Sequence, residues 1–310
     1  MKLTVLILVY NHGEFLDECL NSVFFQNCSF DFEVLVGEDC STDNSLEICK
    51  KYQEKYPRQF KLYHRRKNIG MLKNFYDLIE NATGEYTVFL EGDDFWTNTN
   101  KLELQAKALD SNLDCSLSYH NVKMFFDKGL VGQEKLYVKK NQPLKVGIET
   151  VIESEVFMHT SSLMIRTEMI KNSPPSFLDY SMGDIPITIF ALREGSFALY
   201  LDEVMSCYRK NIGGITFKLN EERINTVVNY ILMYRELNEL LGFRYNKSFM
   251  YAELKKIIEL TSLYIKDKNY VKALIYQRIC NKYVLVADLK LFLKKTINNT
   301  KIVFRRKSIS

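Results

Sequence analysis

Three carboxylates stand within four positions of the sequence, at Glu91, Asp93 and Asp94, directly after the uncharged, strand-forming run 86–90. In open α/β sheets, ligands bind beyond the carboxyl ends of the strands, which is where this cluster would lie. Grouped carboxylates repel one another, and a hard cation such as Mg²⁺ or Mn²⁺ usually compensates the repulsion. Gly92 permits a sharp turn and the close approach of a ligand. The stretch predicts a cation site; the alternative is a solvated turn after an edge strand.

Polar side chains also follow two earlier strand-like runs. Tyr10 and Asn11 come after the first run, and Glu38 and Asp39 come after the second. For each residue singly, a role in a turn or a helix cap is a sufficient explanation. Because the carboxyl ends of parallel strands meet at one edge of a sheet, the three polar ends together favour a common site.

The first 90 residues alternate strand-like and helix-like runs. Apolar, uncharged runs predict four strands, at 3–9, 32–36, 60–64 and 86–90. Between them, apolar residues at helical spacing predict helices near 15–24, 46–52 and 71–79. Strands that alternate with short helices imply right-handed crossovers, so the predicted fold class is α/β, with a mostly parallel central sheet and flanking helices.

The next part of the chain has a more mixed pattern. Two strand-like runs, at 115–120 and 122–126, could pair with each other. A loop is predicted at 128–143, and further strands are predicted at 159–165 and 197–201. His159 lies at the mouth of a predicted strand, where a structural role and an approach to a phosphate are both open. Asp184 precedes a predicted helix and could be its N-cap, with Pro186 in the first turn.

Motifs and charge exclude several classes of function. The turn after the first strand lacks G-x-G-x-x-G, and no G-x-x-x-x-G-K-[ST] occurs, which disfavours a dinucleotide oxidoreductase and a P-loop nucleotide site. Seven basic residues and no acid follow Asp288, whereas the whole chain has 42 bases and 38 acids. The body before this tail is therefore mildly acidic, which gives no support to a nucleic-acid partner.

The cysteines indicate a reducing compartment. The chain has seven of them, scattered and never spaced as Cys-x-x-Cys, which argues against a disulfide framework or a zinc site. The apolar run 3–9 is too short for a membrane span and is followed by no cleavage-like site, so it is interpreted as a strand and not as a signal peptide. We therefore expect a cytoplasmic protein.

Residues 220–310 predict a helical extension, because apolar residues recur there at helical spacing. Near its end, lysines surround one apolar face formed by Leu289, Phe292, Leu293 and Ile297. A basic amphipathic helix of this kind can lie on an anionic membrane, which would place the protein peripherally on the inner face. The alternative is a solvated helix that packs on the domain.

Over roughly residues 1–215, the order of the motifs resembles the large family 2 of inverting glycosyltransferases, which use the GT-A fold. Seven stretches carry the resemblance: 9–12 (Val-Tyr-Asn-His), 38–43 (Glu-Asp-Cys-Ser-Thr-Asp), 68–71 (Asn-Ile-Gly-Met), 90–96 (Leu-Glu-Gly-Asp-Asp-Phe-Trp), 159–161 (His-Thr-Ser), 183–186 (Gly-Asp-Ile-Pro), and 202–214, from Asp202 through Arg209 to Gly214. The resemblance implies a GT-A domain over 1–219 and a helical C-terminal extension over 220–310.

The resemblance also implies roles for individual residues. Tyr10 and Asp39 would bind the nucleoside end of a nucleotide-sugar donor, with Asp39 accepting a hydrogen bond from the base. Asp93 would contact ribose or diphosphate, Asp94 would ligate Mn²⁺ or Mg²⁺, and Asp184 would be the catalytic base. Further donor-binding residues expected from the same motifs are Glu38, Asn68 and Arg209.

Two positions depart from the family pattern. Asn211 stands where the family often has a histidine associated with the donor diphosphate. The stretch from Glu91 to Asp94 stands where the family commonly has Asp-x-Asp, so Glu91 is not among the predicted metal ligands.

The implied reaction is metal-dependent transfer of a hexosyl or N-acetylhexosaminyl group, with a uridine diphosphate sugar as the expected donor. The acceptor would be a hydroxyl of a glycan or a lipid-linked saccharide, and direct displacement would invert the anomeric centre. One alternative is a nucleotidyltransferase, which would need a glycine-rich, arginine-bearing first loop. Another is a non-catalytic nucleotide-sugar or glycan-binding subunit of a polysaccharide assembly complex, which the loss of Asp39, Asp94 or Asp184 would favour.

Overall fold

The computed structural model describes residues 1–126, 135–137, 142–153, 158–180, 182–210 and 222–286, with side chains up to residue 281. The Cα positions group into two compact units, Met1–Lys218 and Leu219–Ser310, which are described separately below. Several sequence predictions lie outside the described residues: Asn211, Gly214, most of the loop 128–143, and the amphipathic tail that contains Leu289.

The first half of the larger unit is a parallel sheet. Its strands are β1 (Leu3–Val9), β2 (Phe32–Glu38), β3 (Phe60–His64) and β4 (Tyr86–Glu91), paired in the order β3-β2-β1-β4. The helices α1 (Leu16–Phe24), α2 (Ser45–Lys55) and α3 (Met71–Asn81) connect them. The predicted alternation of strand and helix is confirmed, and the apolar runs of β1, β2 and β4 are buried because they form the middle of the sheet.

The second half of this unit completes the sheet. Its elements are β5 (Phe95–Trp96), α4 (Lys101–Asp110), β6 (Cys115–Phe126), β7 (Lys135–Leu136), β8 (Lys145–Val146), α5 (Ile148–Glu153), β9 (Met164–Arg166), α6 (Asp184–Ala191) and β10 (Phe197–Lys210). The main strand order is β3-β2-β1-β4-β9-β6-β10-β5. Since β9 runs antiparallel to both of its neighbours, the sheet is mixed but mostly parallel.

Two strand predictions were wrong in detail. Runs 115–120 and 122–126 do not pair with each other but form the single strand β6, which pairs in parallel with β10. A hairpin would need a turn of at least about two residues between the runs, and only Asn121 is available. The predicted strand 197–201 continues to Lys210, through two register shifts after Leu201.

The predicted strand 159–165 is mostly a 3₁₀ helix, Thr160–Ser162, and only Met164–Arg166 is a strand. The Ser162 hydroxyl donates to the His159 carbonyl at 2.7 Å, and such local side-chain bonds compete with strand pairing. Asp184 is likewise not an N-cap: it is the first residue of α6, and Gly183 occupies the cap position.

The smaller unit consists, in its described part, of the helices α7 (Arg223–Leu240), α8 (Asn246–Lys266) and α9 (Tyr270–Val286). Helix α8 packs against both others. Their shared core includes Val227, Ile231, Leu254, Ile257 and Leu260, all of which recur at the helical spacing that predicted this extension. None of the helices in the described residues combines the length and apolar character needed to cross a membrane.

Candidate active site

The turns after β1 and β2 are joined by hydrogen bonds between them. Asn11 has a left-handed backbone (φ 57°), and its side-chain oxygen accepts from the Thr42 amide at 2.7 Å. The Asn11 amide in turn donates to the Ser41 hydroxyl at 3.0 Å. These bonds fix both loops and leave the neighbouring Tyr10 side chain 44% exposed at the same sheet edge.

Asp39 and Asn68, both predicted to bind the donor, lie together. Asp39 is buried, and its two carboxylate oxygens accept from the amides of Ile69 at 2.7 Å and Gly70 at 3.0 Å. The Asn68 side chain also accepts from the Gly70 amide, at 3.0 Å, and Gly70 has φ +87°, which favours glycine. The Asp39 carboxylate is thus held in a fixed orientation, and each of its oxygens retains a lone pair for a further donor.

Glu38 is fully buried and makes internal contacts. One of its oxygens accepts from the Ser41 amide at 2.6 Å, and the other lies 2.7 Å from Nδ1 of His64. Through these contacts Glu38 stabilises the loop that carries Asp39. Its predicted contact with the donor remains a prediction.

The acidic turn after β4 packs closely on the end of β1. The Asp94 amide donates to the Glu91 carbonyl, and the Gly92 amide donates to the Leu8 carbonyl, both at 2.9 Å. A Cβ on Gly92 would lie 2.6 Å from Nδ1 of His12 and 3.2 Å from the Leu8 carbonyl oxygen, so any larger residue here would displace the His12 ring. Nε2 of His12 is 3.9 Å from Oδ1 of Asp93.

Arg209 connects β10 to the acidic turn. Its backbone amide donates to Oδ1 of Asp94 at 2.8 Å, and its Nε donates to the Asp93 carbonyl at 3.0 Å. Its Nη2 donates to Glu18 at 2.5 Å. The guanidinium group lies near three aromatic rings, those of Phe15, Phe95 and Phe125. These contacts orient the Asp94 carboxylate and hold the backbone of the turn at Asp93, whereas the predicted contact of Arg209 with the donor remains a prediction.

Asp184 lies within electrostatic reach of the acidic turn, because its charge contributes to the raised pKa of Glu91. Its Oδ1 accepts from the Ile185 amide at 2.9 Å, which fixes the carboxylate at the start of α6. Gly183 lets α6 pack on α3, since a Cβ there would lie 3.1 Å from the Leu72 side chain. The fold therefore brings together two predicted carboxylate sites that are about ninety positions apart in the sequence.

Burial is the main cause of the raised pKa values of Glu91, Asp94 and Asp184. Burial raises the pKa of Glu91 to about 8, with further contributions from the charges of Asp93 and Asp184. Burial, followed by the charges of Asp93 and Glu91, raises the pKa of Asp94 well above its ordinary value. Burial also raises the pKa of Asp184 to about 6, close to that of an effective general base at neutral pH.

The acidic turn fits a divalent cation. Oδ2 of Asp94 is buried and accepts no hydrogen bond, which is costly for a carboxylate oxygen unless a ligand satisfies it. Among the described residues, no group of three or more His, Cys, Asp or Glu side chains forms a complete metal site. Mg²⁺ and similar cations are commonly held by one or two carboxylates, with substrate phosphates and water as the other ligands. Asp94 is the residue that would hold the cation here.

Sequence reasoning missed several residues of this site. Glu18 in α1 and Phe15, the residue just before α1, contact Arg209 about 190 positions later in the chain, so no local pattern marks them. Lys101 is fully buried near the site, just after the strand of Trp96, with its Nζ 4.3 Å from the centre of the Trp96 ring and 2.7 Å from the Gln105 side-chain oxygen. Burial lowers the pKa of Lys101 to about 7.

Known proteins with a similar sequence include one large enzyme family. The family described as glycosyl transferase family 2 matches residues 4–170, more than half of the chain. An uncharacterised protein of Mycobacterium tuberculosis is 30% identical over 216 residues, which are 69% of this chain and 60% of the length of that relative.

Solved structures show the same fold. The structure of S. aureus TarS in complex with UDP-GlcNAc has a TM-score of 0.57 and 20% identity. The match covers 91% of this chain and 92% of the TarS chain. A second match is the structure of the mannosyltransferase PcManGT from Pyrobaculum calidifontis in complex with GDP-Man and Mn²⁺. It has a TM-score of 0.55 and 14% identity, and the match covers 95% of this chain and 88% of the PcManGT chain. The predicted GT-A-type architecture, a mostly parallel sheet with flanking helices followed by C-terminal helices, is confirmed.

Proposed function

The chain belongs to glycosyl transferase family 2, and on that basis we propose that it moves a sugar from a nucleoside diphosphate to an acceptor hydroxyl, with Asp184 as general base. The observation that carries the proposal is the carboxylate of Asp184, fixed at the start of α6 and close enough to the acidic turn for its charge to contribute to the raised pKa of Glu91. Transfer needs a base for the acceptor and a group that stabilises the leaving diphosphate. Asp184 at the start of α6 would be the base, and Asp94 in the turn after β4 would hold the group that stabilises the diphosphate.

The nucleoside end of the donor would lie over the turns after β1 and β2. Asp39 presents an oriented carboxylate that can accept a hydrogen bond from a base N–H, and the exposed Tyr10 ring can pack against the base. Asn68 is exposed on the loop that fixes Asp39, within reach of the same ligand. Asp93 would contact the ribose or the diphosphate.

A divalent cation on Asp94, when bound, would neutralise the charge that develops on the leaving diphosphate. Arg209 holds one oxygen of Asp94 through its backbone amide and thereby directs the other oxygen to the ligand. Because the turn is buried, this orientation is maintained without solvent competition. The Mn²⁺ bound in the PcManGT structure supports the choice of Mn²⁺ or Mg²⁺.

Asp184 would remove the proton of the acceptor hydroxyl as the new glycosidic bond forms. A pKa of about 6 leaves most of the carboxylate ionised at pH 7, yet basic enough to accept a proton. A single displacement of this kind inverts the anomeric centre. A retaining double displacement would need a carboxylate nucleophile next to the anomeric carbon, and the proposal assigns that role to none of Glu91, Asp94 and Asp184.

The finer identity of the substrates is also a proposal. The neighbours were solved with UDP-GlcNAc and with GDP-Man, which supports a nucleoside diphosphate sugar carrying a hexosyl or N-acetylhexosaminyl group, and we favour the uridine nucleotide. The acceptor would be a glycan or a lipid-linked saccharide used in building a cell-envelope polysaccharide. A cytoplasmic enzyme whose basic tail contacts the inner face of the membrane would have access to both.

Transfer assays with purified protein test the proposal. Donors from the uridine and guanosine series are incubated with saccharide acceptors and Mn²⁺, and the anomeric configuration of the product is determined by proton NMR coupling constants. We expect inversion relative to the donor, and we expect the Asp184→Asn variant to bind donor nearly as well as wild type while losing transfer. Loss of donor binding and transfer together would mean that Asp184 is structural, and a retained configuration would contradict the mechanism.

A further inference from the structure

A histidine faces the buried carboxylate oxygen of Asp94 that accepts no hydrogen bond. Nε2 of His159 lies 4.0 Å from this oxygen, Oδ2. Both residues are buried, with 6% and 1% of their surfaces exposed. At 4.0 Å the two atoms are too far apart for a hydrogen bond with each other. They therefore border a position at which one further atom can contact both.

The contacts on the other side of the His159 ring fix its proton. The Ser161 backbone amide donates to Nδ1 at 3.3 Å, so Nδ1 has a lone pair and no hydrogen. The Ser161 hydroxyl, 2.8 Å from Nδ1, donates to the same lone pair and accepts from the Ser206 hydroxyl at 2.9 Å. A neutral imidazole carries one proton. Since that proton is on Nε2, the group that faces Asp94 is an N–H donor.

The same strand orients the donor and the carboxylate. The His159 ring packs against Tyr208 in β10, with the ring centroids 4.4 Å apart. Ser206, at the end of the hydrogen-bonded chain that reaches Nδ1, is also in β10. Three residues later, the Arg209 amide fixes Oδ1 of Asp94. The N–H donor and Oδ2 are therefore held at a defined separation.

An acceptor oxygen fits between these two groups. An oxygen about 2.9 Å from Nε2, the length of an ordinary hydrogen bond, can also lie about 3 Å from Oδ2, because the two separations together exceed 4.0 Å. When a carboxylate holds a cation such as Mg²⁺, phosphate oxygens of the substrate serve as further ligands beside it. A hydrogen bond to such a charged oxygen is stronger than one between neutral groups.

We propose that Nε2–H of His159 donates a hydrogen bond to an oxygen of the donor's diphosphate, beside Asp94. The proposal rests on the proposed function, which places the diphosphate at Asp94, and it adds a residue that binds this group. Ser161 and Ser206 are positioning residues, because they act by orienting the ring. Negative charge grows on the diphosphate as the sugar leaves, so the hydrogen bond strengthens during transfer while the proton stays on Nε2.

Replacing His159 by asparagine removes the donor and keeps the local structure. His159 is the N-cap of the 3₁₀ helix and accepts from the Ser161 amide, and asparagine is a favoured N-cap that can accept the same bond. Because a hydrogen bond to a charged group is lost, we expect His159→Asn to bind UDP at least about 10-fold more weakly in the presence of Mg²⁺. Its affinity for uridine, which has no phosphate, should equal that of wild type.

Calorimetric titrations of the folded variants with UDP and with uridine test this expectation; GDP and guanosine replace them if wild type binds only the guanosine series. His159→Gln is the matched control, since its side-chain amide places an N–H near the position of Nε2 and should retain most of the UDP affinity. A loss that uridine shares, or one as large in His159→Gln, would mean a structural role and overturn the proposal.

Two further outcomes separate this proposal from the proposed function. Unchanged affinity of His159→Asn for UDP would overturn the hydrogen bond and leave the proposed function intact. Absence of nucleoside diphosphate binding to the wild-type protein would overturn both.

Nuclear magnetic resonance of the wild-type chain tests the proposal without any change at His159. In ¹⁵N-histidine-labelled protein, the ring nitrogens report which of them carries the proton, and replacing His12, His64 and His120 one at a time identifies the signals of His159. We expect the proton on Nε2, and we expect its resonance to move downfield when UDP and Mg²⁺ bind and to stay in place with uridine. A proton on Nδ1, or an Nε2–H resonance that UDP does not move, would overturn the proposal whether or not the variants fold.

Discussion

Replacing Asp184 by asparagine should make the protein more stable at neutral and alkaline pH while it abolishes transfer. Burial raises the pKa of this carboxyl to about 6 from its ordinary 3.8, so the fold favours the protonated, uncharged form. Asparagine is uncharged at every pH, and its side-chain oxygen can keep the hydrogen bond from the Ile185 amide. The variant therefore removes the cost of burying a charge and keeps the local contact.

The size of the effect follows from the shift of about two pKa units, each worth about 1.4 kcal/mol. Because the folded pKa is raised, the stability contributed by the protonated carboxyl is complete below pH 3.8 and is lost as the pH rises through 6. The asparagine variant should thus gain up to about 3 kcal/mol over wild type at pH 8, about half of that at pH 5, and almost nothing near pH 3.

Thermal unfolding at pH 5 and pH 8 measures this difference. For a unit of this size, 1 kcal/mol shifts the melting temperature by about 2–4 °C, so the advantage of the variant should grow by about 3–6 °C from pH 5 to pH 8. Asp179→Asn is the matched control, since Asp179 is exposed and lies only five positions earlier. An advantage that does not change with pH, or that the control shares, would refute the reasoning.

Three further predictions follow from the same contacts. The rate constant kcat/KM should fall as the pH drops through about 6, because protonated Asp184 cannot act as a base; a profile that is flat down to pH 5 would contradict the assignment. From pH 7 to pH 9.5, Lys101 should contribute up to about 3 kcal/mol of added stability, because burial lowers the pKa of Lys101 to about 7 and the unfolded chain holds the extra proton; in urea titrations, the stability of wild type relative to Lys101→Met should rise by this amount over the interval. Gly92→Ala should cost about 1–3 kcal/mol through its clash with His12, and less in a His12→Ala background; equal costs in the two backgrounds would argue against the clash.

The parallel half of the sheet and the acidic turn could be predicted because the signals are local. The uncharged runs of β1, β2 and β4 reflect burial on both faces. The carboxylates of Asp93 and Asp94 directly follow such a run, and the rule that ligands bind beyond the carboxyl ends of strands places them. The local sequence pattern is therefore enough to predict a site when its residues directly follow the strand that positions them.

The remaining features depend on contacts between distant parts of the sequence. The bond from Arg209 to Glu18 spans 191 positions, and no periodicity links the two residues. The approach of His159 to Asp94 depends on a 3₁₀ helix where a strand was predicted. That helix is held by the Ser161 amide, which donates to Nδ1 of His159, and by the Ser162 hydroxyl, which donates to the His159 carbonyl. The short strand β9 runs antiparallel to both of its neighbours, β4 and β6. A strand of three residues is too short for its sequence pattern to predict this direction.

Calorimetric titration with nucleoside diphosphates and their sugars, with and without Mn²⁺, tests the central claim most directly. We predict that one nucleotide binds, that Mn²⁺ strengthens its binding, and that Asp39→Asn weakens the binding while Asp94→Asn removes its dependence on the metal. Absence of binding to every nucleotide under both conditions would contradict the proposal that this site transfers sugars from nucleotide donors.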